Sequence, residues 1–383
     1  MKGFENLPIY LDYAATSPLD SAVFEAMEPF LMRHFGNAAS RFHAYGWLAE
    51  EAVDEAKATI SKHSGFGTKE IVFTSGATES INLALLGFFE NLDFKGRLIT
   101  VETEHKATLD TAKYLQTKGL EVIFLAVDEN GCLDLDEMES HFSGRSCLLS
   151  VMQVNNETGV VQPLEGILER ARSKNVKVHV DATQAVGKLP LPCDADLLSF
   201  SGHKIYGPKG MGALLVKKEV ALSPQIHGGA HQRNRRSGTL NVPGIVGLAK
   251  AFEMAERERE NYVRHAESLS VQLEKGILEN LDFVAQINGI GANRVAGITN
   301  ILFNGMDGEE ILFRMNKVAV SNGSACNSAS TEPSYVLKAM GLSDAEAYSS
   351  VRFSLGKFTT EKDIAYTVEH VCETIKEIRN ANF

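Results

Sequence analysis

Short runs of apolar and β-branched residues recur through the first part of the chain: IVFT at 71, RLITV at 97, EVIFL at 121, LLSVMQV at 148, VKVHV at 176, DLLSF at 196 and GALLV at 212. Between them lie stretches with apolar residues at helical spacing, among them Ala77 to Glu90, Thr108 to Lys118 and Glu165 to Lys174. Strands that alternate with helices predict an α/β layered fold. Several of the strands are nearly all apolar, as expected when helices cover both faces of a mostly parallel, doubly wound sheet. A long helical pattern from Gly244 to about Asn280 carries charge clusters such as ERERE at 256, and beyond it only ITNILF at 298 and VRFSL at 351 read as strands between helices. This change of rhythm predicts a second, smaller α/β domain. Pro8 to Asp12 precedes the first long helix and is assigned to it, which gives a large domain over 13–255 and a small one made of 1–12 with 256–383.

Composition narrows the partners. A chain of 383 residues with 44% hydrophobic and 23% charged residues is ordinary globular protein, large enough for more than one domain. Its 38 Lys and Arg against 49 Asp and Glu leave a net charge of −11, which argues against binding nucleic acid, and the four residues RNRR at 233 are too few to reverse that. Apolar stretches such as Leu83 to Phe89 fall far short of the ~20 residues of a membrane helix, and the start MKGFENLP has no signal-like apolar region. No membrane association and a cytoplasmic location are expected. Five cysteines without a C-x-x-C pair argue against a disulfide framework and a structural zinc site, so no metal is expected and any chemical cysteine acts singly. The segment SNGSACNSAS at 321 is too short for a linker and reads as a functional loop.

Three motifs bear on chemistry. TSGATES, Thr74 to Ser80, lies between a strand and a helix, where exposed backbone N–H groups suit a phosphate, although Ser and Thr are also ordinary helix caps. VKVHVDATQ ends a strand on Asp181, placed to face a ligand beyond the strand end or to serve as a turn residue. In DLLSFSGHKIYGPKGMGALLV, Lys204 follows a strand, where burial would favour Schiff-base formation with a carbonyl cofactor; Lys209 is an equally basic neighbour. Phosphate cup, strand-end acid and lysine together supply the three handles that pyridoxal phosphate needs.

Asp181 with DATQ, Lys204 with SGHK, SGATES, NNETG at 155, RSGT at 236 and GSAC at 323 together resemble a cysteine desulfurase of the NifS/IscS-like branch of the class V aminotransferase family. The resemblance runs from LDYAAT at 11 to VRFSLGKFTTE at 351. It implies a fold-type I transferase dependent on pyridoxal 5'-phosphate. Lys204 matches the lysine that carries the cofactor and moves protons, Asp181 the partner of the pyridine nitrogen, and Gln184 a donor to the ring hydroxyl oxygen. Ala77, Thr78, Ser201 and His203 match the phosphate cup, and His105 the imidazole stacked on the ring. Asn156 and Arg352 match the clamp on the substrate carboxylate, a task suited to a guanidinium fork.

Cys326 matches the thiol that takes sulfur from cysteine and separates a desulfurase from an ordinary aminotransferase. The implied reaction converts L-cysteine to L-alanine and leaves a persulfide on Cys326, for delivery to a sulfur-acceptor protein such as an iron-sulfur scaffold. The other four cysteines are expected to be small buried hydrophobes. Thr239, in RSGT, matches a threonine that reaches the phosphate of the neighbouring subunit, so a homodimer is expected. Asn322 stands where relatives more often carry serine. After Arg379 only four residues remain, whereas some relatives continue into a tail that docks the scaffold; weak binding of such a scaffold is the corresponding expectation. A selenocysteine lyase, an aminotransferase and a non-catalytic binding module are the rival readings.

Overall fold

The computed structural model describes residues 7–142, 147–281, 284–322 and 332–381. Its strands are β1 Ile9–Tyr10, β2 Ile71–Thr74, β3 Arg97–Val101, β4 Glu121–Leu125, β5 Cys147–Met152, β6 Lys177–Asp181, β7 Leu197–Ser201, β8 Gly212–Val216, β9 Ala285–Ile287, β10 Ile298–Phe303, β11 Val318–Ala319 and β12 Ser350–Ser354. The helices are α1 Ser21–Met32, α2 Ala44–Ser64, α3 Ala77–Glu90, α4 Lys106–Thr117, α5 Leu135–Ser140, α6 Leu164–Ser173, α7 His231–Asn234, α8 Val242–Asn280, α9 Gly308–Arg314, α10 Tyr335–Ala339, α11 Asp344–Tyr348 and α12 Glu361–Ala381.

Seven strands form one sheet in the order β2-β8-β7-β6-β5-β3-β4. From β7 through β6, β5 and β3 to β4 the neighbours are parallel, while β8 runs antiparallel to both β7 and β2. The ten residues between β7 and β8 cannot hold a crossover helix, so the chain has to reverse there. Along each strand the side chains alternate between two cores. Ile71, Phe73, Ile99, Val101, Ala213 and Leu215 join α1, α2, α6 and the first part of α8. Val72, Leu98, Leu214 and Val216 face α3 and α4. Strands made largely of apolar residues are therefore what this two-sided burial demands, with Ser150, His179 and Ser199 as buried polar exceptions.

A separate core gathers Leu269, Leu273 and Ile277 of α8, Ile364, Val371, Ile375 and Ile378 of α12, and the antiparallel sheet β12-β10-β9. Leu11 belongs to this core, because β1 pairs in parallel with β11. The chain then crosses to the large sheet. Ser17 N–H donates to the His203 carbonyl at 2.8 Å and Asp20 N–H to that of Tyr206 at 3.0 Å, so residues 12–20 lie as a strap over the turn that follows β7. Among the described residues no helix is long and apolar enough to cross a membrane.

Candidate active site

A cavity of about 510 Å³ opens at the carboxyl ends of β5, β6 and β7, beside the start of α3. Ligands of open α/β sheets bind at such a place. Ala77, Thr78, His105, Asn156, Asp181, Gln184, Ser201, His203, Lys204 and Arg352 all line it.

The cup at α3 depends on two glycines. Gly76, which precedes the helix, has φ +154° and ψ −178°, a conformation open almost only to glycine. A Cβ on Gly212 at the start of β8 would lie 2.6 Å from the Gly76 Cα, so the two backbones meet only because Gly212 carries no side chain. The first-turn amides of Ala77 and Thr78 have no intrahelical acceptor and carry the positive end of the helix dipole. Glu79, in the same turn, is directed elsewhere: it accepts from Arg236 Nε at 2.8 Å and from Ser75 N–H at 2.8 Å. Burial alone would raise its carboxyl, but these hydrogen bonds outweigh it and hold the group below the usual range.

Asp181 closes β6, buried, with Oδ1 accepting from Thr183 N–H at 2.9 Å. Two residues back, His179 is fully buried between Ser150 Oγ at 2.9 Å and Ser199 Oγ at 2.8 Å. Burial lowers its pKa to about 4 against the pull of Asp181, so a neutral ring ties β5, β6 and β7 together beneath the acid. Gln184 Nε2 donates to the Ala14 carbonyl at 2.8 Å.

Lys204 follows Ser201 in the turn after β7, and its amine donates to the carbonyls of Ala14 at 2.6 Å and Ala15 at 2.7 Å. The strap thus holds this amine in the cavity. Lys209 also lines the cavity but is exposed, so burial and backbone contacts distinguish the two lysines. His203 Nδ1 lies 3.1 Å from Thr16 Oγ1, and burial, helped by the charges of Lys204 and Lys209, lowers its pKa to about 4. It is a neutral group at physiological pH. Tyr206 has φ +63°, unusual for a bulky residue, and its N–H donates to Ser17 Oγ at 2.8 Å, a further tie to the strap.

The opposite wall comes from the small sheet and the turn after β5. Arg352 of β12 is 1% exposed; its Nη2 pairs with Asp12 Oδ1 at 2.6 Å and its Nη1 donates to the Asn156 carbonyl at 2.9 Å. Asn155 builds this turn, its Oδ1 accepting from the N–H groups of Glu157 at 2.9 Å and Thr158 at 3.1 Å. The Asn156 Oδ1 is buried without a hydrogen-bond partner among the described residues. Glu157 accepts from Ser334 Oγ at 2.5 Å, and burial raises its carboxyl pKa. His105 caps α4, its Nδ1 accepting from Ala107 N–H at 3.1 Å, which leaves the ring proton on Nε2.

Two residues singled out in the sequence remain to be placed. Thr239 is exposed and lines no part of the cavity, and Cys326 lies outside the described residues. The expectation for the other cysteines needs correction. Cys147 and Cys372 are buried, and burial raises the Cys147 thiol to about 11, but Cys132 is only half-buried and Cys193 is exposed. Cys193 sits in the surface loop between β6 and β7, where no layer covers it. Sequence reading missed Asp12, Ala14, Ala15 and Glu157. Three of these act through the strap, whose approach to the cavity leaves no local pattern.

The cavity fits pyridoxal phosphate. An amine, a strand-end carboxylate, a helix N-terminus that only glycine backbones can frame, and a guanidinium group face one space. Asn156 Oδ1 and Thr183 Oγ1, which have no hydrogen-bond partner among the described residues, leave polar capacity there for a ligand.

Residues 9–366 match the family aminotransferase class-V. The cysteine desulfurase IscS of Pectobacterium carotovorum is 49% identical over 98% of this chain and 94% of its own length, and that of Serratia proteamaculans is 48% identical over the same shares. Among solved structures, a NifS-like protein superposes with a TM-score of 0.90 at 35% identity, covering 97% of this chain and 100% of its own. SspA in complex with cysteine gives 0.80 at 36% identity over 92% and 100%. With the sheet order and the cavity already described, these likenesses show that the chain belongs to the aminotransferase class-V family, in its branch of pyridoxal phosphate-dependent cysteine desulfurases.

Proposed function

We propose that this protein is a cysteine desulfurase: L-cysteine and the thiol of Cys326 give L-alanine and a Cys326 persulfide. The observation that carries the reading is the convergence of the Lys204 amine, the Asp181 carboxylate and the Arg352 guanidinium on one cavity, in a chain about half identical to cysteine desulfurases. When bound, pyridoxal phosphate supplies an electron sink for negative charge at the substrate Cα. The chain's own groups do the rest. Ala77 and Thr78 amides, Ser201 and the neutral His203 would hold the phosphate, and the Asp181 carboxylate would favour a protonated ring nitrogen. Gln184 would donate to the ring hydroxyl oxygen, and His105 would supply the imidazole beside the ring.

The substrate carboxylate is held by Arg352 and Asn156. Lys204 would hold the cofactor, and its amine would take the proton from Cα and return protons afterwards. Its place between two backbone carbonyls keeps the amine close to where it is needed. The thiolate of Cys326 attacks the substrate Sγ; the C–S bond breaks, and the carbon that loses sulfur gains a proton. Sulfur then passes to an acceptor protein, for which an iron-sulfur scaffold is the first choice, in the cytoplasm.

A homodimer is part of the same proposal. Phe24, Leu31, Phe35, Phe42, Tyr45 and Trp47, on α1, α2 and the loop between them, are all exposed, an apolar surface that supports a subunit contact. Thr239 would then complete the partner's phosphate cup. The division into a domain over 13–255 and another of 1–12 with 256–383 is supported by the separate core that holds Leu11 with α12. Incubation with L-cysteine tests the function: alanine must form without an amino acceptor, and the Cys326 peptide must gain the mass of one sulfur. Release of a keto acid in place of alanine, or wild-type alanine yield from Cys326→Ser, would overturn it.

A further inference from the structure

Behind the Lys204 side chain lies a second cavity of about 280 Å³, walled by Tyr13, Tyr206, Tyr262, Lys188 and by Lys204 itself. Lys204 therefore stands between two spaces. Lys188, which the proposed reaction does not use, ends the turn that begins at Asp181, where its N–H donates to the Ala185 carbonyl at 2.9 Å. Its ammonium donates to Gln184 Oε1 at 3.0 Å. At the other end of the same amide, Gln184 Nε2 donates to the Ala14 carbonyl at 2.8 Å, and that carbonyl also accepts from Lys204 Nζ at 2.6 Å. A carbonyl only accepts, so the Ala14 contact sets the orientation of the Gln184 amide, and Lys188, donating to its Oε1, matches that orientation. Lys188 and Lys204 are the two ends of a single hydrogen-bonded chain.

We propose that Lys188 is a positioning residue: it holds the Gln184 amide with its N–H side toward the cofactor cavity and, through the shared Ala14 carbonyl, fixes the place the Lys204 amine takes when it is free of the cofactor. This rests on the reading of the larger cavity as a pyridoxal phosphate site. The electrostatics agree with the geometry. Burial, with the nearby charges of Lys204 and Arg352, lowers the Lys188 pKa to about 7, while Asp20, Glu258, His265 and Lys357 are the other titratable side chains, besides the tyrosines, on its cavity wall. The lysine is held there at an electrostatic cost, and the Gln184 contact is what it gains in return.

The test is a double-mutant cycle on the holoenzyme with Lys188→Met and Gln184→Ala, read by the absorption spectrum of the bound cofactor against pH and by alanine formation. Each single variant is expected to move the spectral pH midpoint in the same direction and to lower kcat about tenfold, the order expected when a reacting group is slightly misplaced. The double variant should resemble Gln184→Ala alone, because both substitutions break the same chain. Lys188→Arg keeps a cationic donor and should restore the wild-type spectrum even if Lys188→Met folds poorly. Multiplicative losses in the double variant, a Lys188→Met spectrum identical to wild type, or failure of Lys188→Arg to restore the spectrum overturns the proposal. Borohydride reduction of the wild type separates the two readings. No cofactor fixed on Lys204 sinks the site and this inference together, whereas normal fixation with independent losses sinks the inference alone.

Discussion

Protonating His179 should destabilise the fold beneath the active site, and the size of the effect follows from its surroundings. The ring is fully buried and each nitrogen faces a serine hydroxyl, so among the described residues a positive charge would meet two neutral hydroxyls in place of a carboxylate. Its folded pKa is lowered from 6.5 to about 4. A depressed folded value means that the contribution to stability is whole above 6.5 and is lost as the pH falls toward the folded value, because the unfolded chain takes up the proton first. The complete gap corresponds to about 3 kcal/mol, and between pH 7 and pH 5 the loss is about 2 kcal/mol. His179→Gln keeps a donor and an acceptor for the two serines but does not titrate. Urea unfolding of both proteins at the two pH values isolates the effect, since every other titrating group cancels in the difference. Wild type should lose about 2 kcal/mol more than the variant on acidification. Equal losses, or an imidazole carbon resonance of His179 that titrates near its ordinary pH in an NMR experiment, would refute the reasoning.

Three further outcomes are expected. Lys204→Ala should lose the covalently held cofactor and all alanine formation while Lys209→Ala keeps both, which borohydride reduction and peptide mapping would check; a label on Lys209 contradicts the assignment. Asp12→Asn removes the carboxylate that pairs with the buried Arg352; it should cost about 2 kcal/mol, less than a fully buried pair because Asp12 keeps some contact with solvent, and should raise KM for cysteine more than it lowers kcat. Trp47→Glu with Phe42→Glu should shift the protein toward monomer in sedimentation and weaken cofactor binding, whereas a monomeric wild type with full activity removes the need for a partner subunit.

The sheet was readable because burial on both faces makes the strands largely apolar and the intervening helices amphipathic, a pattern that local sequence carries. The reversal at β8 was also implicit: GHKIYGPKGM is too short to carry the chain back across the sheet as a helix. Pairing of β1 with β11 was hidden, since two-residue strands have no periodicity and their partners are about three hundred residues apart. The same holds for the finest features of the cavity. Lys204 is placed by the carbonyls of Ala14 and Ala15, and a backbone acceptor leaves no trace in residue type. His179 reads as one more position of a buried strand until Ser150 and Ser199 on the neighbouring strands are seen to bracket it.

This division has a physical cause that bears on mechanism. Residues that touch a reacting group must have particular chemistry, so Lys204, Asp181 and Arg352 stand out by type and spacing. Residues that determine where those groups rest need only a carbonyl, a hydroxyl or a correctly oriented amide, which many side chains and every peptide unit can offer. Precision in the cavity therefore depends on tertiary contact between distant segments: the strap at 12–20, the turn after β6 and strand β12. Arg352 joins two of these segments, since its guanidinium binds Asp12 of the strap while its own strand belongs to the small sheet. A displacement of the small sheet would move Arg352 and, through Asp12, pull on the carbonyls that hold Lys204. The group proposed to bind the substrate carboxylate and the group proposed to move its proton are thus mechanically linked by a few residues of backbone, and a substitution in the strap should alter binding and proton transfer together.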